Sequence, residues 1–384
     1  MDRRHFLALG GMACASTAWS QPGPSVSAPG APGDMFRHVQ FTSDGLALTP
    51  REYALRLGEA VAERSFGVDN YSIGGSLATL EKQFAALLGK QAAIFVATGT
   101  LANHLAIRKL AGRDSRVLVQ AESHLYNDSG DCAQTLSGLN LVPLGEAQSG
   151  FTLQDVQRWA GRTASGRVAR RIGVISIESP VRRMHHAMFD FEEMQRISSW
   201  ARGQGIRLHL DGARLFNLPQ HSGHAITEYT ALFDSVYVSL WKHFNAGSGA
   251  ILAGDEDFIE GLSHERRMFG GALPNAWPTV AVAARHVDSY QRDYAAAWQA
   301  ADALIALLES DRRFSVEKLP GGTSKFLLKP STPVDPAWIE RALALGVGMA
   351  PVNPATGTIP MQVNTSILRR PPAEIAHCLT STMH

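Results

Sequence analysis

Arg207-Leu-His-Leu-Asp211-Gly-Ala-Arg214, followed by Ser235-Val-Tyr-Val-Ser-Leu-Trp-Lys242, is the stretch on which the reading of this 384-residue chain turns. Residues 207–210 and 235–240 read as short strands, and a charged side chain follows each at its carboxyl end. Outward from there, residues 172–177 read as a strand and 191–204 as a helix, while 249–253 form a further strand. Strands alternating with helices imply a mostly parallel sheet with helices on both faces.

The same pattern extends in both directions. Residues 49–64 read as a helix with Pro50 in its first turn, and 77–88 as a helix stopped by Gly89. A strand at 91–97, a helix at 101–110 and strands at 116–120 and 139–144 follow. Beyond the centre, 281–308 is a long Ala-rich helical stretch. Strands at 315–316, 325–328 and 361–365, with a helix at 336–345, suggest a smaller α/β unit. The expected division is a large domain with an N-terminal arm over 41–285 and a small C-terminal domain over 286–384.

Composition limits the function classes. Hydrophobic residues make up 45% of the chain, enough for a large core, and Lys+Arg 36 nearly balance Asp+Glu 35. No basic stripe points to nucleic acid. Residues 1–20 resemble a twin-arginine export signal, with Arg3-Arg4-x-Phe6-Leu7 leading an uncharged stretch, and 21–40 read as a linker. That stretch is too short and too rich in Gly and Ala for a membrane helix, which needs about 20 apolar residues. No stable membrane anchor is therefore expected; the expected destination is periplasmic or exported. Without Cys14, Cys132 and Cys378 are too few for a disulfide framework. No metal site is expected.

The chemistry concentrates at strand ends. Ligands of open α/β sheets bind there. A carboxylate at Asp211 either holds a protonated ring nitrogen or simply begins a turn. Lysines avoid buried positions, so Lys242 after an apolar strand is either a reactive amine or a solvated loop residue. Ser239, three residues earlier, is a candidate phosphate donor. Thr98-Gly99-Thr100, between a strand and a helix, is either a phosphate seat or a capped turn. His124 is a candidate for stacking on a cofactor ring and accepting a proton, or a structural histidine.

Together these residues resemble the threonine aldolase / β-eliminating lyase family of pyridoxal-phosphate (PLP) enzymes, which have the fold type I, aspartate-aminotransferase-like architecture. The resemblance runs from about Phe41 to the C-terminus. Thr98-Gly-Thr-Leu-Ala-Asn103 matches the family's phosphate-binding segment, and His209-Leu-Asp211-Gly-Ala-Arg214 matches its most specific motif. The resemblance implies that Asp211 holds the pyridine nitrogen and Arg214 lies beside the cofactor. It places Lys242 at the Schiff-base lysine and His124 at the ring-stacking histidine. It also implies that Ser43 and Asp44 approach the substrate, and that Arg266, in Arg266-Arg-Met-x-Gly-Gly271, helps bind phosphate across a subunit interface. A homodimer or homotetramer with shared active sites follows. Tyr71, which lies in a matching early segment, joins Tyr126, Trp241 and Phe244 as aromatics that either shape the substrate pocket or pack the core.

Three departures stand out. Val181 occupies a position where threonine aldolases carry a histidine for the substrate hydroxyl. Met361 stands near the usual arginine for the substrate carboxylate, leaving Arg182 and Arg369 as candidate substitutes. His243-Phe-Asn-Ala-Gly247 replaces a small, Gly-rich run. The expected activity is cleavage of a β-hydroxy-α-amino acid, of threonine or phenylserine type, to glycine and an aldehyde. β-Elimination, another PLP reaction or a non-catalytic homologue stay open as alternatives.

Overall fold

The computed structural model describes residues 34–63 and 66–383. The export signal expected over 1–20 and most of the expected linker lie outside the described residues. The strands, in chain order, are β1 (Val39–Gln40), β2 (Ala92–Val96), β3 (Arg116–Gln120), β4 (Asn140–Leu144), β5 (Ile172–Glu178) and β6 (Arg207–Asp211). They continue with β7 (Ser235–Ser239), β8 (Ala250–Gly254), β9 (Phe314–Lys318), β10 (Lys325–Pro330), β11 (Val347–Gly348) and β12 (Ile359–Gln362).

The central sheet has the order β2-β8-β7-β6-β5-β3-β4 and is parallel except for β8. Every residue of β5, β7 and β8 is buried, as strands covered on both faces must be. The expected mostly parallel sheet is therefore present. Its exception matters for the site. β7 and β8 pair antiparallel with Ser239 opposite Ala250, so Lys242 lies in the connection between them. Backbone bonds from Leu240 N to Gly249 O and from Ala246 N to Leu240 O close that connection.

The first three α-helices are α1 (Pro50–Glu63), α2 (Gly75–Leu87) and α3 (Gly99–Ala111), of which α3 reaches the candidate site. α3 packs across β5 to β8, burying Ala102, Asn103, Leu105 and Ala106 against the sheet. A second, antiparallel sheet has the order β12-β10-β9, and β1 pairs in parallel with β11. The N-terminal segment thus reaches across to the C-terminal part of the chain.

Two elements differ from the sequence reading. The helical stretch expected at 281–308 is broken into Trp277–Val280, a 3-10 turn at Ala283–Arg285 and Tyr290–Ser310. Alanine favours helix but does not set boundaries, and His286 and Ser289 fall at the interruption. The strand expected at 361–365 ends at Gln362. Asn364 leaves the ladder because its side chain accepts from Ser366 N (2.9 Å) and caps a 3-10 turn at Thr365–Arg369.

That turn carries Arg369, expected as a substrate candidate. The structure corrects this: Arg369 is buried against Glu52 of α1 and also donates to His38 O (3.1 Å), and it does not line the candidate cavity. Breaking a buried pair strands a charge and costs about 3–5 kcal/mol. Arg369→Ala is accordingly expected to lower the denaturation midpoint by an amount equivalent to about 3 kcal/mol, while the exposed Arg37→Ala, at the Arg37–Glu374 pair, changes little. Equal effects in urea unfolding would contradict this account.

Candidate active site

Register builds the floor of the site. Glu178 on β5 pairs with Asp211 on β6, which pairs with Tyr237 on β7. The three side chains therefore stand abreast on one face and line a cavity of about 170 Å³. The cavity also meets Thr98, Gly99, Thr100, His124, Arg182, Ala213, Arg214, Trp241 and Lys242. The N-terminus of α3 forms one wall. Thr98 caps the helix, its hydroxyl accepting from Leu101 N (3.2 Å). The first-turn N–H groups of Gly99 and Thr100 have no acceptor within the helix. Only glycine fits at 99, because a Cβ would lie 1.9 Å from the Tyr237 hydroxyl oxygen.

Asp211 is held on both oxygens. Oδ1 accepts from Ala213 N (3.1 Å) and Oδ2 from Asn103 Nδ2 (2.5 Å). Asn103 Oδ1 in turn meets His209 Nε2 at 2.9 Å, and His209 Nδ1 meets Ser235 Oγ at 2.8 Å. Burial pushes the His209 imidazole down to about 4, so it is neutral and donates from Nε2 to the asparagine. This buried relay fixes the direction in which Asp211 presents its charge.

Lys242 is buried, and burial first, then the Arg214 charge, push its amine down to about 8. A substantial neutral fraction is then present near neutral pH, as a nucleophilic amine needs. Burial also lowers the His124 imidazole, keeping it neutral. Ser129 Oγ donates to His124 O (3.1 Å) and faces His124 Nδ1 at 3.3 Å. With the hydroxyl proton on the carbonyl, Ser129 Oγ accepts from Nδ1–H and the lone pair is on Nε2. Glu178, buried beside Asp211, has its carboxyl raised by burial and by that neighbouring charge. It accepts from His124 N (2.6 Å) and Arg182 N (2.9 Å), so it positions both.

The remaining sequence candidates divide. Arg214 lines the cavity but is clamped to Asp44 through Nε–Oδ1 (2.6 Å) and a second bond of 2.8 Å. Asp44 is therefore occupied, and also accepts from Gln362 Nε2 (2.6 Å). Arg182 reaches the cavity while paired with Asp128 (2.6 Å). Ser43, Ser239, Tyr71 and Arg266 do not line it. The Ser43 hydroxyl donates to Gly45 O (2.8 Å). Arg266 is fully buried and donates to the carbonyls of Phe95, Tyr71 and Ser72 of its own chain. Tyr71 is exposed beneath the Arg267 guanidinium, 4.2 Å from the ring centroid. Ser239 Oγ is buried without a well-formed hydrogen bond, close to the Tyr237 hydroxyl. Of the four aromatics, Trp241 lines the cavity, whereas Phe244 is fully buried in the core.

The β-eliminating lyase family matches residues 51–318. The chain belongs to that family. A low-specificity L-threonine aldolase of Candida albicans is 30% identical over 65% of this chain and 66% of its own length. The alanine racemase TOXG of Cochliobolus carbonum is 28% identical over 67% of this chain and 61% of its own. Both matches span just under two thirds of the relative. A Listeria monocytogenes protein assigned as an L-allo-threonine aldolase superposes with a TM-score of 0.73, covering 91% of this chain and 97% of the other at 27% identity. The fold is that of the type I PLP enzymes.

The residues of this β-eliminating lyase family member fit PLP. Asp211 suits a ring nitrogen and Lys242 suits the aldehyde. The α3 N-terminus, with the hydroxyls of Thr98 and Thr100, suits a phosphate. Gly99→Ala is expected to raise the dissociation constant for PLP at least tenfold and to destabilise the apoprotein by about 1–3 kcal/mol through overpacking against Tyr237. Fluorescence titration and urea unfolding read the two effects separately.

Proposed function

We propose that the protein is a PLP-dependent carbon–carbon lyase that cleaves β-hydroxy-α-amino acids to glycine and an aldehyde. The observation that carries this is the convergence of a depressed Lys242 amine, Asp211 and the α3 N-terminus on one cavity, in a chain 30% identical to a threonine aldolase. When bound, PLP supplies an electron sink for the pair released as a bond to Cα breaks. Asp211, locked by Asn103 and Ala213, holds the proton on the ring nitrogen. His124 presents Nε2 as the proton acceptor for the substrate β-hydroxyl. Val181 stands at the other position where the family resemblance expects a histidine; it is fully buried and has no proton to move. That duty then falls to His124, with the Lys242 amine, once released, as its rival in the cavity. Trp241, half exposed at the cavity, narrows access for water.

A second reading, proton removal at Cα leading to β-elimination or racemisation, draws support from that same loss at Val181 and from the alanine racemase relative. Product identity separates the readings: an aldehyde with glycine against a 2-oxo acid with ammonia, or an inverted amino acid. Export through the Arg3-Arg4 segment after folding, and a homodimer or homotetramer, complete the proposal.

The expected result is a visible cofactor absorbance in the purified protein that Lys242→Ala loses and that L-threonine or L-phenylserine perturbs, with release of aldehyde. His124→Asn is expected to keep the absorbance and lose about 100-fold or more in kcat for cleavage. Because the reacting form of Lys242 is the neutral amine, PLP uptake by the apoprotein accelerates as pH rises towards about 8 and levels off above it. A colourless protein that stays colourless with added PLP would overturn the proposal.

A further inference from the structure

The family resemblance expects an arginine for the substrate carboxylate near position 361. In this chain Met361 is fully buried, opposite Phe326 in the antiparallel β10–β12 pair. The next pair along is Lys325 opposite Gln362. Side chains of successive pairs point to opposite faces, and directly opposed residues lie about 5 Å apart at Cβ. Phe326 and Met361 thus face the core together, while Lys325 and Gln362 share the other face. Gln362 shows what that face looks onto: its Nε2 donates to Asp44 Oδ1 (2.6 Å), and Asp44 clamps Arg214 of the cavity lining.

The charges of this region then leave one cation over. Arg214 is clamped to Asp44 through Nε and Nη2. Arg182 is paired with Asp128, and Arg183 with Asp128 and Glu122. Arg369 is committed to Glu52, and Lys242 to the cofactor aldehyde. Lys325 is half-buried and has neither hydrogen-bond nor ion-pair partner among the described residues. Lys325 does not itself line the cavity; the charged groups that act on it are Arg214 and Arg182, which line it, and Asp44, which clamps Arg214. A partly desolvated ammonium without a counter-ion is unfavourable until an anion arrives. The cofactor phosphate belongs to the α3 N-terminus and is already provided for. The anion left to place is the carboxylate of the amino acid.

We propose that Lys325 binds the α-carboxylate of the substrate, in place of the arginine displaced by Met361. The inference rests on the amino-acid reading above. Burial, followed by the Arg214 charge, brings the Lys325 ammonium down to about 8, so it is still mostly charged at neutral pH. Lys325 lies on β10 one pair along from Met361 and on the opposite face, the face that Gln362 turns towards Asp44, so a cation stays on the same small sheet. It substitutes a single ammonium for a planar fork, which grips a carboxylate less rigidly.

The test titrates PLP-loaded protein with glycine and with glycinamide, following the cofactor absorbance, and measures KM and kcat with L-threonine or L-phenylserine. Glycinamide keeps the amine and removes the negative charge. The wild type is expected to bind glycine about 10- to 100-fold more tightly than glycinamide. Lys325→Gln is expected to bring that ratio near one and to raise KM by a similar factor with a smaller change in kcat. Lys325→Arg keeps most of the ratio, which separates carboxylate binding from a folding defect. A Lys325→Gln protein that keeps the wild-type ratio overturns the inference, as does a wild type that fails to distinguish the two ligands. A wild type that distinguishes them yet releases no aldehyde leaves Lys325 in place and sinks only the carbon–carbon lyase reading.

Discussion

The buried ion pair between Asp44 and Arg214 ties together parts of the chain that are far apart in sequence. Asp44 comes from the N-terminal segment, Arg214 from the turn after β6, and Gln362 joins them from β12. Burial alone would raise the Asp44 carboxyl, but Arg214, with Lys242, pulls it far below the usual range. The pair is thus fully charged, and its neutralisation leaves the neighbouring cations to be settled by their own partners. A well-packed apolar pair of the same volume is often as stable. The benefit of charge here is electrostatic: Arg214 is the second cause of the depressed amines of both Lys242 and Lys325.

The same balance explains why so many polar groups survive inside this core. His186, His209 and His243 are all buried with lowered pKa values, and burial is the first cause in each. A neutral imidazole both donates and accepts, so it can bridge two fixed groups without adding charge. His209 bridges Ser235 and Asn103, while His186 meets Ser324 Oγ at 2.7 Å, on the residue preceding Lys325. Formal charge is thereby concentrated in the residues around the cavity. His124 fits this pattern at the cavity itself, where neutrality makes it a base.

Much of the architecture was legible in the sequence because the central strands are short apolar runs bounded by charged or glycine residues. β3 was read to the residue, and β6 and β7 to within one. Less legible were elements whose signals are capping rather than periodicity. The helix Leu153–Ala164 was not read, although Thr152 and Asp155 form a capping box before it. The helix Pro372–Ser381 was also not read, although Pro372 marks its first turn. At the site, residues carried by local motifs were found, including Lys242, Asp211, His124 and 98–100. Glu178 and Tyr237 were missed as site residues because their place depends on strand register, which no local motif displays. Arg369 misled for the complementary reason. An arginine in a plausible neighbourhood was read as a ligand group, but its partner, Glu52, lies far away in sequence.

The run after Lys242 shows how a departure from the family pattern can be structurally coherent. Where small residues were expected, His243 stacks on Tyr290 with ring centroids 4.6 Å apart. Phe244 packs edge-on against Phe84 (5.3 Å) and Phe216 (5.1 Å). Asn245 takes a positive φ of 57°, a conformation that asparagine tolerates, and its Oδ1 accepts from Leu46 N at 2.7 Å. Gly45 then passes so close that a Cβ would lie 2.4 Å from Lys242 O. A Gly-rich connection leaves backbone freedom that binding must remove, whereas this one is pinned by three aromatic contacts and a side-chain cap. Lys242 therefore starts from a backbone already fixed on both sides, and the bulky residues that depart from the family pattern contribute to positioning its amine.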